Sequence, residues 1–315
     1  MDSEKQDLAM QSGDKKPFLA VWMVTYNHEA YIEKAVESVM RQQTNFNFKL
    51  FIGEDNSSDS TASICKDLKE KYPNEIQLFL NEMNIGANRN AFQIYEACNH
   101  SGAKYIALLE GDDYWTDNSK LQKQVDFLEQ NQECIFCFHT ALVHSDAQEK
   151  NQKYYPKDVT KELLDAGDFF QITTISTASV MYRNFGFLPR FNHSHGDFLL
   201  YCELLSKGKA GYINEIMSSY RLHEGGISSA YNSNVYLEKR IDELQFECKV
   251  TVFSAAVKSQ IGAILTEHIL HYLNKNRNQL TRIQKRKYAT ILIHCKGFYS
   301  LTLKSYSTLF RTLLK

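Results

Sequence analysis

Three carboxylates in four residues, Glu110, Asp112 and Asp113 with Gly111 between them, are the densest chemistry in this 315-residue chain. They follow a continuous apolar run, residues 105–109, that reads as a buried strand. Like charges this close raise one another's pKa unless a cation or ligand donors offset them. The cluster therefore reads either as a divalent-cation site or as a solvated acidic turn capping the helix that starts near Ser119. Mg²⁺ or Mn²⁺ suits hard carboxylate oxygens, and Asp112 and Asp113 could bridge such an ion to a diphosphate. Glu54 and Asp55 end a second apolar run. Asp55 could accept a hydrogen bond from the imide N–H of a uracil or thymine, with Tyr26 stacked on the base, or could merely form the turn before a helix. Further along, Asp197 follows Gly196, and His223 opens a Gly-containing loop, where the alternative reading is a solvated histidine. His193 and His195 read as polarity in an acceptor loop rather than as ligands.

The elements that would have to position these groups are legible. Apolar runs at residues 18–24, 49–53, 76–80 and 105–109 predict four buried strands, each followed by a segment of helical periodicity, at 32–40, 61–71, from about 90, and 119–130. Four strand–helix units imply a parallel, doubly wound α/β sheet. Right-handed crossovers put every strand C-terminus on one edge, where such sheets bind ligands. The polar clusters at 25–27, 54–55 and 110–113 would then converge on one crevice. Ser119 and Gln122 have capping-box spacing for the fourth helix. Beyond it we expect strands at 135–143 and 172–182, a surface loop at 146–158, a helix at 198–206, two short strands at 210–213 and 216–221, and a loop at 222–229 suited to fold over a ligand. Helices are expected over 236–246 and 253–273.

Composition is that of a globular protein with a net charge of −1, so the molecule as a whole is no polyanion binder. Seven cysteines without framework-like spacing, and no cationic-apolar leader, point to a reducing cytosol. Cys134 and Cys137 have the spacing of a redox pair but lie inside an apolar run, which favours buried packing. No run approaches the ~18 apolar residues of a membrane span. Neither a G-x-G-x-x-G after a strand nor a G-x-x-x-x-G-K-[ST] is present, so phosphate must be handled some other way than by those loops.

Thr25-Tyr-Asn27, Glu54-Asp-Asn-Ser-Ser-Asp-Ser-Thr61, Asn84-x-Gly86-x-x-Arg89-Asn90, Glu110-Gly-Asp-Asp-Tyr-Trp115, Gly196-Asp197 and Tyr220-Arg-x-His223-Glu-Gly-Gly-Ile-Ser228 together resemble glycosyltransferase family 2, in a branch that builds bacterial surface polysaccharides. No single motif is specific; their order and strand contexts are. The resemblance runs from about residue 18 to 229. It implies a GT-A fold over residues 17–231, between a disordered leader (1–16) and a helical, basic extension (232–315). It also implies transfer of a sugar, with inversion, from a nucleotide-diphosphate donor (a UDP- or dTDP-sugar) to a glycan or lipid-linked acceptor. By the same resemblance Thr25, Tyr26, Asn27, Glu29, Asp55, Arg89, Asn90 and Asp112 hold the nucleotide sugar, Asp113 and His223 bind Mg²⁺ or Mn²⁺, and Asp197 is the general base. One departure stands out: many relatives carry an acidic pair at the base position, and here Gly196 precedes Asp197. A non-catalytic nucleotide-sugar-binding subunit would keep Asp55 and Asp113 without needing Asp197 or the loop. A two-metal phosphohydrolase would need more ligands than the motifs supply.

From His268 onward the chain has ten Lys or Arg and no Asp or Glu. Aromatic and leucine residues alternate with these cations, as in helices that lie at the inner face of a plasma membrane, and equally as in a helix packed on the domain. A nucleic-acid role has no recognition motif to accompany the charge. Liposome co-sedimentation with and without residues 276–315 separates the two readings. Lipid-dependent pelleting that needs those residues is the interfacial outcome, and no lipid dependence would rule it out.

Overall fold

The apolar runs become strands because each is covered on both faces. Strand β1 (Leu19–Thr25) sends Leu19, Val21 and Met23 into one hydrophobic cluster and Ala20 and Trp22 into another, which leaves no solvated face for polar residues. The computed structural model describes residues 16–145, 153–172, 174–186, 196–223, 234–249, 253–276 and 279–294. After β1 come α1 (Ile32–Met40), β2 (Phe48–Glu54), α2 (Thr61–Lys71), β3 (Ile76–Leu80), α3 (Ala87–His100), β4 (Tyr105–Leu108), β5 (Tyr114–Trp115) and α4 (Lys120–Gln130). The second half holds β6 (Cys134–Ser145), β7 (Lys153–Tyr155), β8 (Leu163–Leu164), α5 (Ala166–Phe169), a 3-10 turn (Thr177–Ser179), β9 (Met181–Arg183), α6 (Gly196–Leu205), β10 (Lys209–Leu222), α7 (Asn234–Glu247), α8 (Ala255–Lys275) and α9 (Arg282–His294).

The strands form one sheet in the order β3-β2-β1-β4-β9-β6-β10-β5, with β7 added to β6 and β8 to β10. Pairings β1/β2, β2/β3, β1/β4 and β6/β10 are parallel, while β9 and β5 run antiparallel to their neighbours. This is the mostly parallel α/β sheet that the strand–helix alternation predicts. Register aligns the functional edge: Thr25 lies opposite Glu54, and the backbone N–H groups of Leu109 and Gly111 donate to Trp22 and Val24 at 3.0 and 2.9 Å. The ends of β1 and β2 are therefore level, β4 stops three residues earlier, and the chain after it keeps beside β1 as far as Gly111.

Several local expectations fail, each for a tertiary reason. Ser119 makes no side-chain cap to α4. Its backbone N–H donates instead to Asp117, while Gln122 accepts from the Asn45 N–H and donates to Asp126. Residues 172–182 are not one strand; only Met181–Arg183 pairs, after a 3-10 turn whose Ala178 carbonyl accepts from the Trp115 indole. Residues 210–213 and 216–221 belong to one strand, β10, with register shifts at Ile213/Ile216 and Ile216/Ser218 that let it continue past polar Asn214 and Glu215. Within the expected loop at 146–158, residues 153–155 form β7. Strand β5, two residues long, gave no periodic signal. The leader, most of the 146–158 loop, His193, His195, residues 224–229 and the end of the basic tail lie outside the described residues.

Cys134 and Cys137 are buried free thiols on β6, in keeping with packing rather than redox exchange. The C-terminal helices share the core: Leu237, Ile241 and Leu244 of α7, Ile261 and Leu265 of α8, and Tyr288 and Leu292 of α9 belong to the same cluster as Ile94 of α3 and Leu200 of α6. Among the described residues no helix is long and apolar enough to cross a membrane.

The tightest point under the site edge is Gly53, where a Cβ would lie 2.4 Å from Asn90 Oδ1 and 2.6 Å from Ile94 Cγ1 of α3. Gly53→Ala must push α3 off β2 and should cost about 1–3 kcal/mol, the usual range for overpacking a filled interior. Urea unfolding of the two proteins measures it, and an unchanged midpoint would show that α3 can move aside freely.

Candidate functional site at the C-terminal edge of the sheet

Two loops form the left wall of the crevice, and their polar residues mostly hold each other. Asn27 sits in the left-handed region at φ 54°, a conformation that asparagine tolerates. Its N–H donates to Ser57 Oγ, and its Oδ1 accepts from the Ser58 N–H at 2.9 Å. Glu29 accepts from the Ser60 N–H, and buried Glu54 accepts from the Asn56 and Ser57 N–H groups. Asp55 is 2% exposed and takes three donors from the protein: Asn81 Nδ2 at 3.1 Å, the Ile85 N–H at 2.8 Å and the Gly86 N–H at 2.9 Å. A carboxylate has about four acceptor positions, so one remains. Asn90 is buried and donates to the Gly53 carbonyl, tying α3 to β2, while Arg89 beside it is exposed. Tyr26 stands out from this wall, 43% exposed.

The floor is the acidic turn between β4 and β5. Gly111 lets it approach β1, since a Cβ there would lie 2.7 Å from Thr25 Oγ1 and 3.1 Å from His28 Nδ1. Asp113, 1% exposed, accepts from the Arg221 N–H through Oδ1 at 2.8 Å, and its Oδ2 is buried without a hydrogen-bond partner. Asp112 Oδ2 lies 3.0 Å from His223 Nε2 and 3.8 Å from His28 Nε2. The Arg221 guanidinium donates to the Asp112 carbonyl and sits between the rings of Tyr31 and Tyr114, 5.0 and 4.6 Å from their centroids. It supplies a cation braced by aromatic faces. Strand β10 is what delivers Arg221 and His223, running beside β5 so that its end meets the turn.

The fourth contribution comes from α6. Asp197, in its first turn, is exposed, and its Oδ1 accepts from the Phe198 N–H at 2.8 Å. Its charge raises the pKa of Glu110, so the two carboxylates lie near enough to interact through space. The structure thus gathers Thr25, Asp112, Asp113, Asp197 and His223 around the turn, and leaves Asn27, Glu29 and Asn90 engaged in holding loops and helix. Sequence reasoning passed over His28, although it lies inside the Thr25–Glu29 run, because only the fold brings it to Asp112.

Electrostatics separates the carboxylates. Burial, then the charges of Asp112 and Asp197, push Glu110 up to about 8. Burial, then the charges of Asp112 and Glu110, hold Asp113 well above the ordinary carboxylate range. Burial also raises Asp112, but the His223 hydrogen bond and the nearby His28 outweigh it and the net direction is down. Burial lowers His28, opposed by Asp112. Among the described residues, two donor groups could hold a metal ion: Glu110, Asp112 and Asp113, and His28, Asp112 and His223, each with ligand atoms all within 4.8 Å of one another. The buried, unpartnered Asp113 Oδ2 is the observation that a cation fits, because an orphaned carboxylate oxygen is otherwise costly.

Residues 20–188, more than half of the chain, match the family model described as glycosyl transferase family 2. Asp197, Arg221 and His223 lie beyond that match. Uncharacterized protein Rv1520 of Mycobacterium tuberculosis is 33% identical over 221 residues, 68% of this chain and 61% of its own length. The chain therefore spans less than two thirds of the length of that relative. WfaP of Escherichia coli, named a UDP-Glc:alpha-D-GlcNAc-diphosphoundecaprenol beta-1,3-glucosyltransferase, is 26% identical over 217 residues, 67% of this chain and 80% of that protein. Among solved structures, S. aureus TarS 1-349 in complex with UDP-GlcNAc has a TM-score of 0.63 at 16% identity, covering 94% of this chain and 89% of that one. That likeness is one of fold, and the fold is GT-A.

Because the Glu110 pKa rises from 4.5 to about 8 on folding, the native state keeps a proton that the unfolded chain has released. The stability linked to it is complete below about pH 4.5 and is lost as pH climbs through about 8. Glu110→Gln mimics the protonated form. In EDTA it should be more stable than the parent at about pH 9 and converge with it near about pH 5, read by urea unfolding. A variant with the parent's pH slope would show that Glu110 does not titrate among these carboxylates.

Proposed function

This chain belongs to glycosyl transferase family 2, and we propose that it moves a glycosyl group, with inversion, from a nucleoside diphosphate sugar to a glycan or lipid-linked acceptor in surface polysaccharide synthesis. The observation that carries the reading is the meeting of the acidic turn, two imidazoles and Arg221 at the sheet edge, with the Asp197 charge on α6 felt by Glu110. WfaP's name gives a UDP-sugar donor and a diphosphoundecaprenol-linked acceptor, and the same classes suit a site with an acidic floor that could hold a cation and one separate carboxylate. Work at the inner face of the plasma membrane follows from such an acceptor.

In this reading Tyr26 stacks on a uracil or thymine, and the remaining acceptor position of Asp55 receives its imide N–H. Thr25 and Asp112 lie toward the ribose and diphosphate, and exposed Arg89 is available to the nucleotide. Mg²⁺ or Mn²⁺, bound by carboxylates of the turn and by His223, would neutralise charge developing on the departing nucleoside diphosphate. The chain's own residues do the rest. Arg221 keeps the turn in place through its N–H and guanidinium. That leaves Asp197 to take the proton from the acceptor hydroxyl as the new glycosidic bond forms on the face opposite the leaving group.

Asp197→Asn keeps the size and the hydrogen bond to Phe198 but cannot accept that proton. Turnover with a UDP-sugar should fall by about 10²–10⁴-fold, while UDP binding by calorimetry stays within about twofold of the parent, since in this reading Asp197 meets the acceptor and not the nucleotide. Full activity in the variant would remove Asp197 from the base role.

A further inference from the structure

His28 is a titratable group at the crevice floor to which the proposed function gives no role. It enters from the loop between β1 and α1, and its ring is held at one end: Nδ1 lies 3.2 Å from the Thr25 hydroxyl. That contact points Nε2 toward Asp112 Oδ2, 3.8 Å away. On the other side of the same oxygen stands His223 Nε2, at 3.0 Å. The two imidazole planes are nearly perpendicular, at 88°, with centroids 6.1 Å apart, so they converge on Asp112 rather than stack on each other. All three side chains are partly open to the crevice, at 17%, 20% and 13% exposure for His28, Asp112 and His223.

The 3.0 Å contact between His223 and Asp112 is a hydrogen bond, and the same separation suits two ligands of one ion. Two donors about 2.1 Å from one ion, at right angles or tetrahedral angles, stand roughly 3.0–3.5 Å apart. The 3.0 Å contact already falls there, and the 3.8 Å contact needs a shift of a few tenths of an ångström. At 3.8 Å the His28–Asp112 approach is too long for a hydrogen bond. The hydroxyl of Thr25 on the far ring nitrogen is the orienting contact that metal-bound imidazoles regularly have. Gly111 permits the arrangement, since any side chain there would collide with both Thr25 and His28.

We propose that His28 is a metal ligand, completing with Asp112 and His223 a face of two imidazoles and one carboxylate, and that this face selects Mn²⁺ over Mg²⁺. The inference rests on the metal-dependent reading above and adds to it the donor set and the ion. Mg²⁺ keeps to oxygen ligands and dehydrates reluctantly, whereas first-row transition ions accept imidazole. Three protein donors on one side leave positions open for diphosphate oxygens and water. Asp112 also belongs to the all-oxygen group with Glu110 and Asp113, so the alternative is an ion on that side of the same carboxylate, with no nitrogen ligand.

Pulsed EPR on the full chain, loaded with Mn²⁺ alone and with Mn²⁺ plus UDP, counts nitrogen ligands through their ¹⁴N coupling. The parent should show two imidazole nitrogens and His28→Ala one, with Mn²⁺ affinity falling about tenfold or more. The parent should also bind Mn²⁺ at least about tenfold more tightly than Mg²⁺ in competition. No nitrogen or a single nitrogen in the parent overturns the proposal, as does an unchanged count in a folded His28→Ala protein or equal affinity for the two ions. The parent spectrum decides even if the variant fails to fold. Calorimetric UDP binding and sugar transfer on the same samples separate the two levels. Transfer with an all-oxygen Mn²⁺ overturns only the role of His28, whereas failure to bind both Mn²⁺ and UDP overturns the metal-dependent reading as well.

Discussion

The constraint on which the rest of the structure depends is the crowding of three carboxylates where β4 ends, Asp113 buried and Glu110 and Asp112 half-buried. Their mutual repulsion and lost hydration would open the turn in an isolated peptide. Here the turn is tied at both ends: the Gly111 N–H donates to β1, and Asp113 accepts from the Arg221 N–H on β10. Arg221 and the two imidazoles bring the positive charge or donors that the carboxylates need, and they come from opposite ends of the chain. The result is a site whose charge is only partly offset by protein. The unpartnered Asp113 Oδ2 marks what is missing.

Much of the polar sequence around that site is scaffold. Asp55, Asn90 and Asn81 form a buried hydrogen-bonded set that fixes the 81–86 segment and α3 against β2. Asn27, Glu29, Glu54 and Ser57 lock two loops together by side chain to backbone bonds. Such densely hydrogen-bonded networks are rigid. They hold Tyr26, Thr25 and His28 at fixed positions above the sheet edge, so preorganisation and recognition use neighbouring residues of the same short motifs.

The helices after β10 share in this. Arg240 of α7 lies over the Phe198 ring, 4.2 Å from its centroid, and forms a buried cluster with Glu243 and Glu247. At the other end of α6, the Ser254 N–H that begins α8 donates to Ser206 Oγ. The helix bearing Asp197 is therefore braced at both ends by chain outside the region that matches the family model. Removing part of that bracing would leave buried charge uncompensated, because Glu247 Oε2 already lacks a partner.

Local sequence determined the elements whose signal is local. Helices α1 and α2 and strand β3 fall where their apolar periodicity puts them, and β1, β2 and β4 within a residue or so, because strands covered on both faces must be continuously apolar. Their shared direction, and hence the convergence of Thr25, Asp55 and Asp112 on one edge, follows from the strand–helix alternation. What sequence could not carry was pairing between distant segments. The failed cap at Ser119, the lone three-residue β9 and the fusion of two predicted strands into β10 all arise where a partner strand or loop outbids local preference. The site divides in the same way. The acidic turn and Asp197 were legible as residue types beside strand and helix ends, but His28 became part of the floor only when Gly111 let the turn close against β1 and β10 carried His223 to its other side. A carboxylate's neighbours in sequence set its charge; which imidazoles face it is a matter of strand order and register, and only the tertiary structure fixes those.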